Sequence, residues 1–371
     1  MPDDFLGPGA EVEEAQPLGP ARWDWSAVRR VLVVRLRSIG DTVLATPALH
    51  ALRRFLPNAQ IDVLLESWVA PVLEGSTEVD RVFTVERGST KARLKTAWEL
   101  RRNGYDVAYN LHGGTTATLL MRASGARRRV GFATYQYQNL LTDAAPPSAQ
   151  LWNRSPTHSA EQQLALIGWT GVPVSDRPRS RLAVTPNAAA KIAMLTAKPY
   201  AVLHPAAAFA TKQWATDNFA RVSEHLHERG FSVIAIASPK EKPIVAQLQA
   251  AARVPFKAYT DLTLPEVTAL LANANLFVGN DSGLAHIAAA TATPLVVIFG
   301  SSNVAHWRPW TTAPHEIVRE ILPCQPCPGY VCNEFAAPEC IRRVTVDAVR
   351  VAIEKVLSLR NLPTIGDILS A

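Results

Sequence analysis

The run Val33 to Leu52, VVRLRSIGDTVLATPALHAL, passes from a β-branched apolar stretch through a glycine and an aspartate into a helical pattern. Asp41 at that junction has two readings. It can cap the helix by accepting free N–H groups of the first turn, or it can point into a cleft at the carboxyl end of a parallel strand. The run FVGNDSGLAHIAAA repeats the arrangement. An apolar strand ends at Gly279, Asn280 and Asp281 make a turn, and Ser282 and Gly283 open a helix whose unpaired N–H groups suit an anion. His286, in the same helix, is of a type more often packed than catalytic. In HPAAAFATKQW, His204 ends a strand, small residues allow a ligand near the backbone, and Lys212 offers a point charge suited to a diphosphate. A lone lysine is equally an ordinary solvated one. In IASPKEKP, Glu241 follows another strand end and has the chemistry to hydrogen-bond a ribose.

The elements that must position these groups alternate. RRVLVVRL, QIDVLLE, DRVFTVE, YDVAYNL and RRVGFA read as strands. Helices TPALHALRRF, KARLKTAWELRRNG and TTATLLMRASG lie among them, the first with Thr46 as its expected cap and Pro47 in its first turn. From about Gln138 to Pro186 the pattern loosens around one helix, SAEQQLALIGW. It then restarts with strands YAVLHPA, FSVIAIAS, LFVGND and PLVVIFG. Between them fall helices TDNFARVSEHLHERG, TLPEVTALLANA and SGLAHIAAAT, with Thr263 and Glu266 at capping-box spacing. Such alternation predicts parallel sheets covered by helices on both faces. The expected fold is α/β, two doubly wound Rossmann-like units in tandem, with a central cleft between them as the default site.

At 371 residues the chain has room for two cores. The N-terminal MPDDFLGPGAEVEEAQPLGP lacks the basic and continuous apolar regions of a secretory signal and is expected to be a disordered acidic tail over residues 1–26. No apolar run is long enough to span a bilayer as a helix. The formal charge of +6 invites an anionic partner. The arginines are dispersed and no nucleic-acid module accompanies them, so nucleic acid is not expected. All four cysteines, Cys324, Cys327, Cys332 and Cys340, fall in one C-x2-C-x4-C-x7-C stretch. They could hold a metal as four thiolates, stand as reduced thiols in a loop, or form disulfides after oxidation.

RLRSIGDTVLATPALHALRRFLPNAQIDVL, HPAAAFATKQW, GNDSGLAHIAAATATPLVVIFG and CQPCPGYVCNEFAAPECIRRVTVDAV together resemble, in this order, the landmarks of glycosyltransferase family 9, the ADP-heptose:lipopolysaccharide heptosyltransferases. The resemblance implies a GT-B architecture. Residues 27–185 would receive the acceptor, and residues 186–371, with the cysteine loop and a C-terminal helix, would bind the nucleotide sugar. It implies inverting, metal-independent transfer of heptose from ADP-heptose to the lipopolysaccharide inner core, without a cofactor. Asp41 becomes the general base, Lys212 the phosphate contact, Glu241 a nucleoside contact, and Asp281, Ser282 and Gly283 the donor loop, with His204 and His286 beside it. Ala206 stands where the family usually has a glycine after the His-Pro step, and ASPKEK replaces a glycine-led version. The partners implied are the nucleotide sugar, a lipid-linked glycan and, peripherally, the cytoplasmic face of the inner membrane. Rival readings are a relative using another nucleotide sugar, a non-catalytic sugar-nucleotide-binding protein, and an epimerase of similar form.

Overall fold

A computed structural model describes residues 14–196, 199–327 and 330–360. Two parallel six-stranded sheets dominate it. The first contains β1 (Arg30–Leu36), β2 (Gln60–Glu66), β3 (Arg81–Val85), β4 (Val107–Asn110), β5 (Arg128–Phe132) and β6 (Asp143–Ala145), in the order β3-β2-β1-β4-β5-β6. The second contains β7 (Tyr200–His204), β8 (Ser232–Ile236), β9 (Lys257–Tyr259), β10 (Leu276–Asn280), β11 (Leu295–Phe299) and β12 (His315–Arg319), in the order β12-β11-β10-β7-β8-β9. The two orders are the same once each sheet is counted from its first strand. Each sheet therefore reverses its winding beside its first strand, between β1 and β4 and between β7 and β10. Open α/β sheets bind ligands just outside the strand ends at that point.

The central strands are apolar because both faces are covered. Val31, Leu32, Val33 and Val34 of β1 have no exposed surface, and Val33 pairs with Val63 on one side and Tyr109 on the other. β6 and β9 have three residues each and β12 is only partly buried, so these edge strands carry no periodic signal that a sequence reading could use. The C-terminal helix Val346–Arg360 lays Val349, Ile353 and Val356 into the core of the second sheet.

Two expectations are corrected. Residues 14–26 are not a disordered tail. Leu18 N–H donates to Gly168 O at 3.0 Å, Trp25 Nε1 donates to Thr170 O at 3.1 Å, and Trp23, Trp25 and Phe55 stack edge to face or tilted. Leu18, Trp23 and Trp25 pack partly buried against the core of the first unit, and these contacts with the hydrogen bonds hold the segment in place. Residues 1–13 lie outside the described residues. Thr46 is not a cap either: it is the first residue of helix Thr46–Phe55, and its hydroxyl donates to Val43 O at 2.7 Å and accepts from Arg181 N–H at 3.0 Å.

The helix stops behave as their glycines require. Helix Thr216–Glu228 ends with Gly230 at φ +81°, where its N–H bonds His227 O and the next N–H bonds Leu226 O. Helix Leu264–Ala272 opens with Glu266 accepting from Thr263 N–H at 2.9 Å.

Candidate active site

The two switch points face one another across a cleft of about 890 Å³. The first sheet contributes Ser38 to Asp41 and Trp68. The second contributes His204, Lys212, Glu241, Asp281, Ser282, Gly283 and His286. Every residue singled out in the sequence for donor binding or base catalysis is thus on one wall or the other.

Asp41 answers its own question twice. Helix Ile39–Val43 starts directly after β1, and Asp41 is its third residue. Its Oδ2 accepts from Ser38 N–H at 3.0 Å and from Ser38 Oγ at 2.9 Å, while Arg35 Nη2 donates to Oδ1. It therefore does belong to a capping box, and it also lines the cleft. Burial alone would raise its pKa. Arg35 first, then the two Ser38 bonds and His286, outweigh that and hold the carboxyl below its usual value. The group is ionised at neutral pH and poised to accept a proton only while a new bond withdraws electron density from the donor oxygen. Arg35 was not foreseen. A charged residue in an otherwise buried strand was the available signal: it is 9% exposed and also donates to Leu111 O at 2.6 Å.

On the opposite wall, Asn280 at the end of β10 ties the site together. Its Nδ2 donates to Pro205 O at 3.0 Å and its Oδ1 accepts from Trp214 N–H at 3.2 Å, which fixes the loop after β7. Lys212 ends a 3-10 turn in that loop and places Nζ 2.7 Å from Asp281 Oδ2. The sequence offered these as two separate ligand contacts. They are a pair, with Asp281 5% and Lys212 24% exposed, and the ammonium retains donors for an incoming phosphate. Ser282 caps helix Gly283–Ala290 in position, yet its side chain bonds no N–H of the first turn. Its Oγ is buried without a partner among the described residues, as is His286 Nδ1. Both residues line the cleft.

His204 is anchored, its Nδ1 2.9 Å from Ile236 O, and burial lowers its pKa as it lowers that of His286. Both rings are neutral at pH 7. Glu241 Oε2 accepts from Ser238 N–H at 2.7 Å, so one oxygen is spent on its own turn.

The walls meet through glycines. A Cβ on Gly40 would sit 2.7 Å from His286 Cδ2, and one on Gly283 would sit 3.0 Å from Ile39 and 3.3 Å from Gly40 N. Helix Ile39–Val43 packs directly against the start of helix Gly283–Ala290, bringing Asp41 and the anion-binding helix end together.

A second cavity of about 190 Å³ lies behind Asp41, lined by Arg35, His112, Tyr135, Gln163, His306 and Trp307 among others. Sequence reading missed all of these. Gln163 is 5% exposed, and neither its Oε1 nor its Nε2 has a partner among the described residues.

The cysteines form no disulfide. Cys327 Sγ donates to Cys324 O at 3.3 Å, and Cys332 Sγ accepts from Phe335 N–H at 3.4 Å. Among the described residues, no group of three or more His, Cys, Asp or Glu side chains is arranged to hold a metal ion. No helix among them is long and apolar enough to cross a membrane.

Two doubly wound sheets whose switch points face each other, one presenting a carboxylate and the other the start of a helix, are the architecture of the GT-B type. The chain belongs to glycosyltransferase family 9 (heptosyltransferase), whose family model matches residues 93–336. Lys212 and the Asp281 loop lie inside that match, and Asp41 lies before it. The chain is 29% identical over 299 residues to lipopolysaccharide heptosyltransferase 3 of Escherichia coli, covering 74% of this chain and 85% of that protein. Its fold is similar to a glycosyl transferase of family 9 from Veillonella parvula, with TM-score 0.77, 19% identity, and 89% and 97% of the chains covered. It is also similar to E. coli ADP-heptose lps heptosyltransferase II, with TM-score 0.76, 22% identity, and 90% and 100% covered.

Proposed function

We propose that this enzyme transfers heptose from ADP-heptose to a sugar hydroxyl of the lipopolysaccharide inner core, with inversion and without a metal. The observation that carries the reading is the packing of helix Ile39–Val43 on helix Gly283–Ala290, which sets a carboxylate and a diphosphate site against each other across one cleft. The names of the relatives support the sugar and the acceptor class.

In the proposed reaction the acceptor oxygen attacks the anomeric carbon from the face opposite the diphosphate. Asp41 takes the hydroxyl proton as the new carbon–oxygen bond forms. The bond from the anomeric carbon to the diphosphate oxygen breaks, and its electron pair leaves with ADP. Lys212 and the N–H groups at Gly283 stabilise the charge gathering on that leaving group. Ser282 Oγ and His286 Nδ1 find their missing partners in the bound donor. Glu241 and the aromatic Tyr259 line the part of the cleft left for the nucleoside. The acceptor is lipid-linked in this reading, so the enzyme works at the cytoplasmic surface of the inner membrane.

The test is donor-dependent thermal stabilisation across a panel of nucleotide sugars, followed by transfer assays on truncated, O-deacylated core oligosaccharides. Stabilisation by ADP-heptose follows from mass action if it binds the folded state. A UDP- or GDP-sugar stabilising the protein where ADP-heptose does not would overturn the heptose assignment and leave the transferase class standing.

A further inference from the structure

Helix Thr90–Arg101 lies on the first sheet and buries only Thr96 and Leu100 fully. Its outer face carries Leu94, 68% exposed, and Trp98, 59% exposed, one turn apart. Lys91, Lys95, Arg101 and Arg102 are exposed around them, and the Arg102 guanidinium lies 4.5 Å from the Trp98 ring centre. Helix Thr115–Ala123 packs beside it. Leu100 from one helix and Ala117, Leu120 and Met121 from the other share a core with Leu32 and Val34 of β1. Both helices therefore cover the same face of the sheet, and their outer surfaces point the same way. The second adds Leu119, 52% exposed, and an exposed Arg122. Among the acids of these two helices only Glu99 is present, 3.8 Å from Lys95.

Large apolar side chains ringed by lysine and arginine have the composition of an interfacial surface. The rings and leucines enter the headgroup layer while the cations meet anionic headgroups. A protein partner would equally cover leucine and tryptophan, but the nearly uniform positive rim matches a surface of fixed negative sign. The location agrees. A groove lined by Arg37, Arg87, Arg93 and Thr115, together with Glu66 and Glu86, opens at the N-terminal ends of these two helices. It shares His112 with the cavity behind Asp41.

We propose that the outer faces of helices Thr90–Arg101 and Thr115–Ala123 dock on an anionic lipid bilayer. The assignment rests on the reading of the acceptor as lipid-linked for its purpose, and its test does not depend on transfer. The purified full chain is sedimented with phosphatidylethanolamine vesicles containing phosphatidylglycerol, and with phosphatidylcholine vesicles, at low and high salt. The wild type should pellet with the anionic vesicles and be released by salt. Leu94→Ser with Trp98→Ser should lower the partition coefficient about tenfold or more. Lys91→Ala, Lys95→Ala and Arg122→Ala together should lower it about a hundredfold, near fivefold for each charge. All these side chains are exposed, so the melting midpoint should not move. On an O-deacylated soluble acceptor both variants should turn over like the wild type; on vesicle-embedded acceptor they should be slower. Variants that partition like the wild type, or equal wild-type binding to phosphatidylcholine, would overturn the proposal. So would a lipid-free dimer that the serine variant dissociates, because the patch would then be a contact between copies. Failure of the wild type on every soluble acceptor, with vesicle binding intact, would instead count against the proposed reaction.

Discussion

Replacing Asp41 by asparagine separates its two roles. The carboxylate oxygens are both engaged, Oδ2 by Ser38 N–H and Oγ and Oδ1 by Arg35. An asparagine has one acceptor, so its NH2 must face donors on one of the two sides. The lost charge-assisted bond and the donor–donor contact should cost about 1–3 kcal/mol of stability. That loss is modest enough for the variant to fold, and rates must be compared at matched folded fraction. The amide cannot take a proton, so turnover should fall about 10²-fold or more, the scale of general base catalysis. Donor affinity, measured by calorimetry with ADP-heptose or ADP, should stay within about twofold, since binding energy shared by ground and transition states is untouched. The wild-type rate should also be flat from about pH 6 to 8 as far as this group is concerned, because its depressed pKa keeps it ionised there, and the base form is lost only as pH falls through the carboxylate range. A variant retaining turnover within about fivefold of the wild type would remove Asp41 from the chemistry and leave it as the capping residue it also is.

Lys212→Ala should weaken donor binding and turnover together, and should also destabilise the protein by about 1–3 kcal/mol by stranding the buried Asp281 carboxylate. Adding Asp281→Asn should restore the stability without restoring donor affinity; recovery of both would mean that the lysine serves only its ion pair. His158 accepts from Ala160 N–H through Nδ1, faces Arg308 O through Nε2, and has its pKa pushed down by burial to about 3. Such a ring is neutral when folded and protonated when unfolded below about pH 6.5, so stability is full above that pH and falls as pH drops, by up to ~1.4 kcal/mol per pH unit. Denaturant titrations from pH 7 to 5 should show this slope, and His158→Gln should lower it, leaving the part contributed by His204 and His286. Gln163→Leu removes two buried polar atoms that lack partners, so the melting midpoint should hold or rise; a loss beyond about 1 kcal/mol would show that the amide is satisfied in the folded protein. Serine at Cys324 and Cys327, or chelator treatment, should leave transfer by the folded enzyme intact, and selective loss of turnover would contradict the metal-independent mechanism.

The alternation of apolar runs and helical segments made the doubled α/β architecture legible, because central parallel strands such as β1 and β10 have to be apolar on both faces. Strand ends marked the cleft wall for the same reason: Gly279, Asp281 and Gly283 interrupt an apolar pattern, and Asp281 and Gly283 line the cleft. What stayed hidden depends on contacts distant in sequence. Arg35 acquires meaning only beside Asp41 and Leu111 O, and the pairing of Lys212 with Asp281 spans 69 positions. Gln163 looks like one polar residue in an ordinary amphipathic helix until the cavity behind Asp41 is seen. The segment 14–26 failed for a different reason. Its acids and prolines outweighed its tryptophans in composition, although a few aromatic anchors suffice to fix a short strap against a finished core.

The close approach at Gly40, against the His286 ring, and at Gly283, against Ile39, also bears on how the two walls can move. Where two bodies touch this closely across glycines, a rocking motion that preserves the touch has its fulcrum there. Displacement in such a motion grows with distance from the fulcrum. Asp41 is adjacent to it in sequence, and Ser282 and His286 flank it from the other side, so these groups would move little. Groups of the cleft wall farther from it would swing more. On the proposed reaction, the jaws could then part wide enough to admit a nucleotide sugar or release ADP while Asp41 and the start of helix Gly283–Ala290 keep their mutual distance, so that entry and exit need not disassemble the proposed site on each turnover.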